Sequence, residues 1–597
     1  MVSSSQPGSV GAQYPSVSSC NDTLPCPTTP SPHSKKSDIT LASPENLHSA
    51  RSRATESSEA SLVSHINRKP PIKWPKMAKS EDTTWSNYQK AVLDDLPKHW
   101  VQPLQKLKLL ETTAYGIAVE RFGTIEPKKK VPFISRRQKQ IREVRAQLNQ
   151  LKKAWLATSD DAEKDGLTLL QDEHRVTLRA LRKAECSRKR RWRRRNARRR
   201  FYLDPFSAAR EVLSPRCSVE PVFSQEELDE YLTSTTGDPN KDVPLGSFDD
   251  LPAFDRVLKP FDTSKLSFKA LHILTKKKRN GSLPGLNQLA YKVYKKCPGL
   301  LSYLFSIHLA VVKSRKIPLS WRLSDGFFTS KVDEPKADKI ADFRLISLLN
   351  VEGKLFWTLV SNRLYSHLVT ENKIINTSSQ KGSIKKMAGV WEHTAMMWSG
   401  LQDARKRRKN ITTIWLDLAN AFGSVPHSLI EFVLTRYGIP PDWIELIMLY
   451  YHGMWGRVST SKSHSHWIKL ECGIFAGCTV SVIIFLAAFN IFLEYLDSIP
   501  VPRYTLSSGV DLPLLRAFVD DLNITTISVP NGQTILDAVD RILTWARMKA
   551  KASKSRSGVV VKGRCLDISP FFVGSERIPS LQDKPVKSLG RVLDEEG

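Results

Sequence analysis

Three aspartates stand in settings that favour metal chemistry. Asp417 closes the run Ile411–Leu416, and Asp520-Asp521 lies between Leu514–Phe518 and Leu522–Ile527. These flanks are apolar and β-branched, as in buried strands, so the pair falls in the tight turn of a β-hairpin. A carboxylate there is costly to bury unless a cation or a donor meets it. Crowding a third beside two raises a pKa unless a divalent metal neutralises the cluster. Magnesium takes hard oxygen ligands, which carboxylates on neighbouring strands supply. Two such ions can activate a 3'-hydroxyl and stabilise a leaving pyrophosphate. An Asp-Asp dipeptide by itself is ordinarily a surface turn, because Asp favours turns through local hydrogen bonds; the flanking runs and Asp417 argue for the metal site.

The 597 residues allow several domains and a large core. A formal charge of +30 favours a polyanionic partner, nucleic acid or an anionic surface. The cysteines at 20, 26, 186, 217, 297, 472, 478 and 565 have no repeated Cys-x-x-Cys spacing, which argues against a four-cysteine zinc site and for a reducing compartment. The first residues lack a basic start and an apolar run, so no signal peptide is expected and the chain is placed inside the cell, in nucleus or cytoplasm. The most apolar stretch, Cys478 to Phe492, is short for a bilayer and is expected to be a buried helix; no membrane partner is expected.

Residues 1–90 are rich in Ser, Pro, Thr, Lys and Asp with isolated apolar residues, which predicts disorder. Residues 91–200 are expected to be helical and basic. Ile141, Val144, Leu148, Leu151 and Trp155 form one apolar stripe, and the pattern resumes after Gly166, which predicts two packed helices or a short coiled coil. Between Arg188 and Arg200, ten residues in thirteen are basic, and Trp192 lies among them. Such a run is a solvated face, a nuclear-localisation signal or a phosphate-backbone contact; on the last reading Arg188, Lys189, Arg190, Arg191, Arg193, Arg194 and Arg195 meet phosphates and Trp192 stacks on a base. Residues 201–270 form an acidic connector in which Ser224 is positioned to cap a short helix.

From about residue 270 the chain resembles the reverse transcriptases of non-LTR (LINE-like) retroelements. Leu416 to His427 is similar to the family's motif A, and Phe518-Val519-Asp520-Asp521 to its motif C. The resemblance makes Asp417 and Asp520 the principal metal ligands, with Asp521 the third carboxylate. Phe422 falls where the family places a ring that excludes a ribose 2'-hydroxyl. Asn280–Gly285 with Tyr291–Lys295, Ile317–Arg322 with Phe328–Lys331, and Asp342–Asn350 resemble the preceding blocks, and imply that Lys331 and Arg344 contact the incoming triphosphate. Gln380-Lys381-Gly382 with Trp391–Thr394 matches the segment before motif A. Gly473–Ser481, with Gly473, Ala476 and Gly477, resembles motif B beside the nucleotide, where glycines would let backbone approach the substrate. Met548–Gly563 resembles motif D and makes Lys554 a proton donor to pyrophosphate; Lys587–Gly590 resembles the start of the primer-gripping motif E.

The implied fold is α+β, the fingers (271–410) and palm (411–597) of a right-hand polymerase, with an antiparallel palm sheet backed by helices. The implied partners are an RNA template, a DNA primer and dNTPs, with two Mg2+ ions, replaceable by Mn2+; no oligomeric state is implied. Ala476, Val482 and Leu345 depart from the family's usual Gln, Pro and Pro, and Val390-Trp391 from its Gly-Cys. The chain ends seven residues past Gly590, before the expected thumb, and shows no endonuclease or zinc-binding pattern. A weakly catalytic remnant that binds nucleic acid through basic segments is the alternative, and a structural helical protein built around 135–200 a minor one.

Overall fold

The computed structural model describes residues 59–99, 101–126, 135–205, 221–254, 257–331 and 339–593. The described residues from Val63 onward form one compact unit, and the expected disorder of residues 1–58 lies outside the described residues. The expected boundary near residue 90 is too late. Val63, Ile72, Trp85, Tyr88 and Val92 are buried, and Trp74 stacks on Trp85 with ring centroids 5.9 Å apart. Apolar residues that stand singly in this stretch are gathered in space, where the helix Asp82–Asp95 packs on the helices Pro103–Phe122 and Pro298–Ser314.

The basic region is a hairpin of two helices, Arg136–Ala157 and Asp161–Leu203. The break falls at 158–160 and not at Gly166. Asp160 accepts from the Ala162 N–H and starts the second helix, whereas an internal glycine costs a helix only about 1 kcal/mol. Ser224 caps the helix Gln225–Thr236 through a reciprocal capping box with Glu227. That helix packs Leu228 and Leu232 with Phe223, Phe343 and Val458.

The strands in chain order are β1 (Leu323–Ser330), β2 (Phe343–Leu348), β3 (Ile411–Leu416), β4 (Trp455–Ser459), β5 (Ile468–Lys469), β6 (Leu515–Phe518), β7 (Asp521–Thr526), β8 (Arg556–Val561) and β9 (Arg564–Leu566); β10 (Phe572–Val573) with β11 (Glu576–Arg577) and β12 (Val586–Ser588) with β13 (Arg591–Leu593) make small hairpins. One sheet runs β2-β1-β4-β5, with β1 and β4 parallel; the other, β6-β7-β3-β8-β9, is antiparallel throughout. The chain is thus a mixed α+β fold.

Alternation along the second sheet separates two faces. Ile414, Leu416, Leu515, Ala517, Leu522 and Ile524 point into the main core, where the helices Thr479–Ser498 and Val529–Trp545 lie against the strands. Thr413, Trp415, Arg516, Asn523 and Thr525 lie on the opposite face. The helix Thr479–Ser498 is longer than the apolar run that predicts it. By length and composition it could cross a membrane, yet it is mostly buried inside the protein; within it Asn490 donates to Glu494 and to the Tyr437 hydroxyl.

Two buried polar clusters tie residues 66–122 to the body. Asp325, 1% exposed, accepts from Arg457, Arg68 and Ser459, while the Ile66 carbonyl accepts from Arg457 and from the Trp467 indole. Glu111 and Glu352 are both buried, and the Asn287 amide donates to each, at 3.1 and 2.9 Å. Burial, and then the neighbouring Glu352, push the Glu111 carboxyl up to about 8; Glu352 is raised too, first by burial.

Candidate active site

Strand register brings the three aspartates to one end of the second sheet. Leu416 pairs with Leu522, so Asp417, the next residue, comes opposite Asp521. Phe518 pairs with Asp521, which leaves Val519 and Asp520 as a two-residue hairpin turn. Val519 has φ +63°, a conformation that costs a β-branched residue about 1–3 kcal/mol and persists only where its surroundings impose it.

The charges crowd. Burial raises the Asp520 carboxyl, and Asp417 adds to the shift. The Asp521 side chain keeps an exposed surface, but the protein mass around it, then Asp520 and Asp417, push its carboxyl up to about 6. Asp417 is raised by burial and held down by Lys554, Lys551 and Lys331. Lys551 and Lys554 are placed by backbone: the Lys551 N–H donates to the Asp417 carbonyl at 2.7 Å, and the Asp417 N–H to the Ser555 hydroxyl at 3.1 Å. The segment 551–555 therefore wraps the end of β3 and carries Lys554 to the carboxylate.

A cavity of about 390 Å³ is lined by Asp417, Asp520, Lys554, Lys331, Arg344, Phe422, Gly473 and Ala476. Lys331 follows β1, where its ammonium donates to the Ala341 carbonyl at 2.8 Å; burial, Lys554 and Arg344 depress its pKa. Arg344 on β2 lies opposite Thr329. Phe422 stacks on Phe485, 4.5 Å between centroids and 9° between planes. A second cavity, about 90 Å³, is lined by Asp417, Asp521, Lys554 and Lys587, together with His393 and Arg516. The carboxylates stand between the two.

The motif B glycines do something other than expected. A Cβ on Gly473 (φ +85°) would lie 2.5 Å from the Gly423 carbonyl oxygen, and one on Gly477 (φ +129°) 2.6 Å from that of Ser347. They admit protein backbone, the Asp417 loop and β2 respectively, and Gly477 is not among the residues lining the larger cavity. The Ala476 carbonyl accepts from the Ser347 N–H at 2.9 Å, a second tie to β2.

Among the described residues no group of three or more His, Cys, Asp and Glu side chains could by itself hold a metal ion. The three carboxylates share a sheet end without closing a ligand set. As donors they suit a hard cation: all are carboxylate oxygens, and each is raised by burial that a cation would offset.

Arg188, Lys189, Arg190, Arg191, Trp192, Arg193, Arg194 and Arg195 lie on the last part of the helix Asp161–Leu203 and line neither cavity. Arg188 is held by Glu185 at 2.8 and 2.9 Å, and Trp192 is 62% exposed. Sequence reasoning missed Arg516. It is 3% exposed, donates to Thr525 at 2.7 Å and to Asn523, and burial lowers its pKa to about 10. An arginine inside the apolar run before Asp520 was the available signal.

Comparison with known proteins bears on this site. Residues 334–593 match the family model described as "Reverse transcriptase (RNA-dependent DNA polymerase)". The "Retrovirus-related Pol polyprotein from type-1 retrotransposable element R2" of Nasonia vitripennis is 25% identical over 255 residues, 42% of this chain and 24% of that protein. The match thus spans about a quarter of the relative's length.

Proposed function

We propose that the reverse-transcriptase domain carried by residues 334–593, which resembles the Pol protein of an R2-type non-LTR retrotransposon, works with the strands just before it as an RNA-directed DNA polymerase that adds dNTPs to a primer 3'-hydroxyl. One observation carries the reading: register brings Asp417 opposite Asp521, beside Asp520 and a cavity that also holds Lys331, Arg344 and Phe422. The first sheet serves as fingers and the second as palm.

Asp417, Asp520 and Asp521 would hold two Mg2+ ions, or Mn2+ in their place, which when bound polarise the primer hydroxyl and neutralise charge on the phosphates. The protein's own groups do the rest. Lys331 and Arg344 hold the triphosphate, a compact ammonium and a forked guanidinium suited to phosphate oxygens. The Phe422 ring, backed by Phe485, crowds the sugar where a 2'-hydroxyl would project. Lys554 delivers a proton to the departing pyrophosphate. Gly473, Ala476 and Gly477 brace the nucleotide side of the cavity by locking their loop to β2 and to the Asp417 loop. Lys587 faces the primer, and the exposed basic run of 189–200 takes nucleic acid backbone. The setting is intracellular, where template RNA, DNA and dNTPs are found.

Primer extension on poly(rA)/oligo(dT) with Mg2+ tests the assignment. Asp417→Asn keeps the shape and removes the charge, and is expected to abolish extension; undiminished extension refutes it. The replacements at Ala476, Val482 and Leu345 favour a second reading, a remnant that only binds nucleic acid. It predicts salt-sensitive filter binding with no metal-dependent extension.

A further inference from the structure

The strained turn that carries Asp520 is gripped by one side chain. Gln380, 1% exposed, accepts from the Val519 N–H and donates to the Val519 carbonyl, each at 2.9 Å, and its oxygen also accepts from the Gly382 N–H at 2.9 Å. A single amide thus holds both backbone polar groups of the residue at φ +63°. The first central position of a two-residue hairpin with positive φ is ordinarily glycine; here valine occupies it, and the conformation is imposed from outside.

The grip has a rigid base. The Ala517 N–H donates to the Ser379 carbonyl at 2.8 Å and the Lys381 N–H to the Ala517 carbonyl at 3.0 Å, so 379–381 extends the sheet alongside β6. The Gln380 N–H donates to Asn376, whose own N–H donates to Asn490 in the core helix Thr479–Ser498. Gly382 completes it, since a Cβ there would lie 2.2 Å from the Val519 nitrogen.

We infer that Gln380 is a positioning residue: through Val519 it holds Asp520 and Asp521 in the arrangement that receives divalent metal. The inference rests on the polymerase reading for its effect on rate, and on the geometry alone for its effect on metal affinity. Gln380→Met keeps the volume and removes all three hydrogen bonds. In the full chain it is expected to lower kcat for primer extension roughly 30–100-fold, the loss that about 1 Å of misplacement brings, with the dNTP KM within about twofold. Mn2+ affinity, read by electron paramagnetic resonance, is expected to weaken about tenfold, with Tm lowered too because the Val519 and Gly382 backbone groups lose their partner. Adding Val519→Gly, which makes the left-handed turn accessible without the grip, is expected to restore kcat about tenfold. Gly382→Ala, which keeps the amide but displaces the same turn, is expected to lower kcat and Mn2+ affinity likewise, at a cost in Tm, if Gln380→Met fails to fold. Wild-type kcat and Mn2+ affinity in Gln380→Met, or no recovery on adding Val519→Gly, overturns the inference. Should the wild-type chain fail to extend primers, the polymerase reading falls while the Mn2+ measurement still decides the grip.

Discussion

Replacing Gly473 by alanine separates two explanations of the motif B glycine. If it spares room for substrate, a methyl group raises the dNTP KM and leaves stability alone. The contacts point elsewhere. Gly473 donates to the Val425 carbonyl at 2.7 Å, its neighbour Ile474 donates to the Phe422 carbonyl at 2.8 Å, and His427 meets the Gly473 carbonyl at 3.1 Å. The turn after Asp417 and this loop are laced backbone to backbone. Restoring an ordinary 3.4 Å separation from the 2.5 Å that a Cβ would have to the Gly423 oxygen means moving one loop by about 0.9 Å. A left-handed φ costs alanine about 1–2 kcal/mol, and forcing packed backbone apart about 1–3 kcal/mol more, so a stability loss on the order of 2–5 kcal/mol is expected. The displaced loop carries Phe422 and adjoins Asp417, and a shift near 1 Å costs about a hundredfold in rate. Gly473→Ala should therefore lower both Tm and kcat in thermal melts and steady-state extension. An unchanged Tm with only KM raised would refute this reasoning.

Stability should depend on pH through Glu111. Its folded-state pKa, about 8, lies above the ordinary 4.5, so the native chain keeps a proton that the unfolded chain releases, and stability falls as pH rises through that window. Between pH 6 and 8 the loss is on the order of 2 kcal/mol; Glu111→Gln, which imitates the protonated acid toward Asn287 and Ser320, should flatten melts taken at the two pH values, and an unchanged slope would count against the buried pair. Replacing Arg190, Arg191, Arg193 and Arg194 with glutamine should make the log-log salt dependence of RNA binding shallower by up to about one per lost phosphate contact, with Tm unchanged. A salt slope equal to wild type would leave this run a solvated face.

The carboxylate site was legible because each part is local. An apolar β-branched run ending in Asp417 and two such runs meeting at Asp520-Asp521 specify a strand and a hairpin, and pairing those strands needs only the register that their buried faces dictate. Ser224 was legible for the same reason, as a cap lies next to the helix it starts. What escaped depends on distant partners. Gly473 looks like a substrate contact until Gly423 is seen beneath it, and Trp85 and Tyr88 look like isolated apolar residues in polar chain until Trp74 and Phe122 gather round them. Gln380 carried no local signal for its work, since its partner stands 139 positions away. Arg516 broke an apolar strand pattern, and such violations are where a chain departs from simple packing for another reason.

The contacts of Ile66 and Arg68 bear on how the polypeptide is made. Ile66 meets Trp467 across 401 positions, and Arg68 meets Asp325 across 257. On a ribosome adding about 5–20 residues each second, the early segment emerges some 20–80 seconds before its last partner. Until Pro298–Ser314 and then Trp467 have emerged, the sides of the helices Asp82–Asp95 and Pro103–Phe122 that meet them face water or a chaperone, so this early segment docks late. A shortened chain starting at residue 334, where the family match begins, would lack β1, leaving β2 without a partner and one edge of β4 open, and such open strand edges invite aggregation.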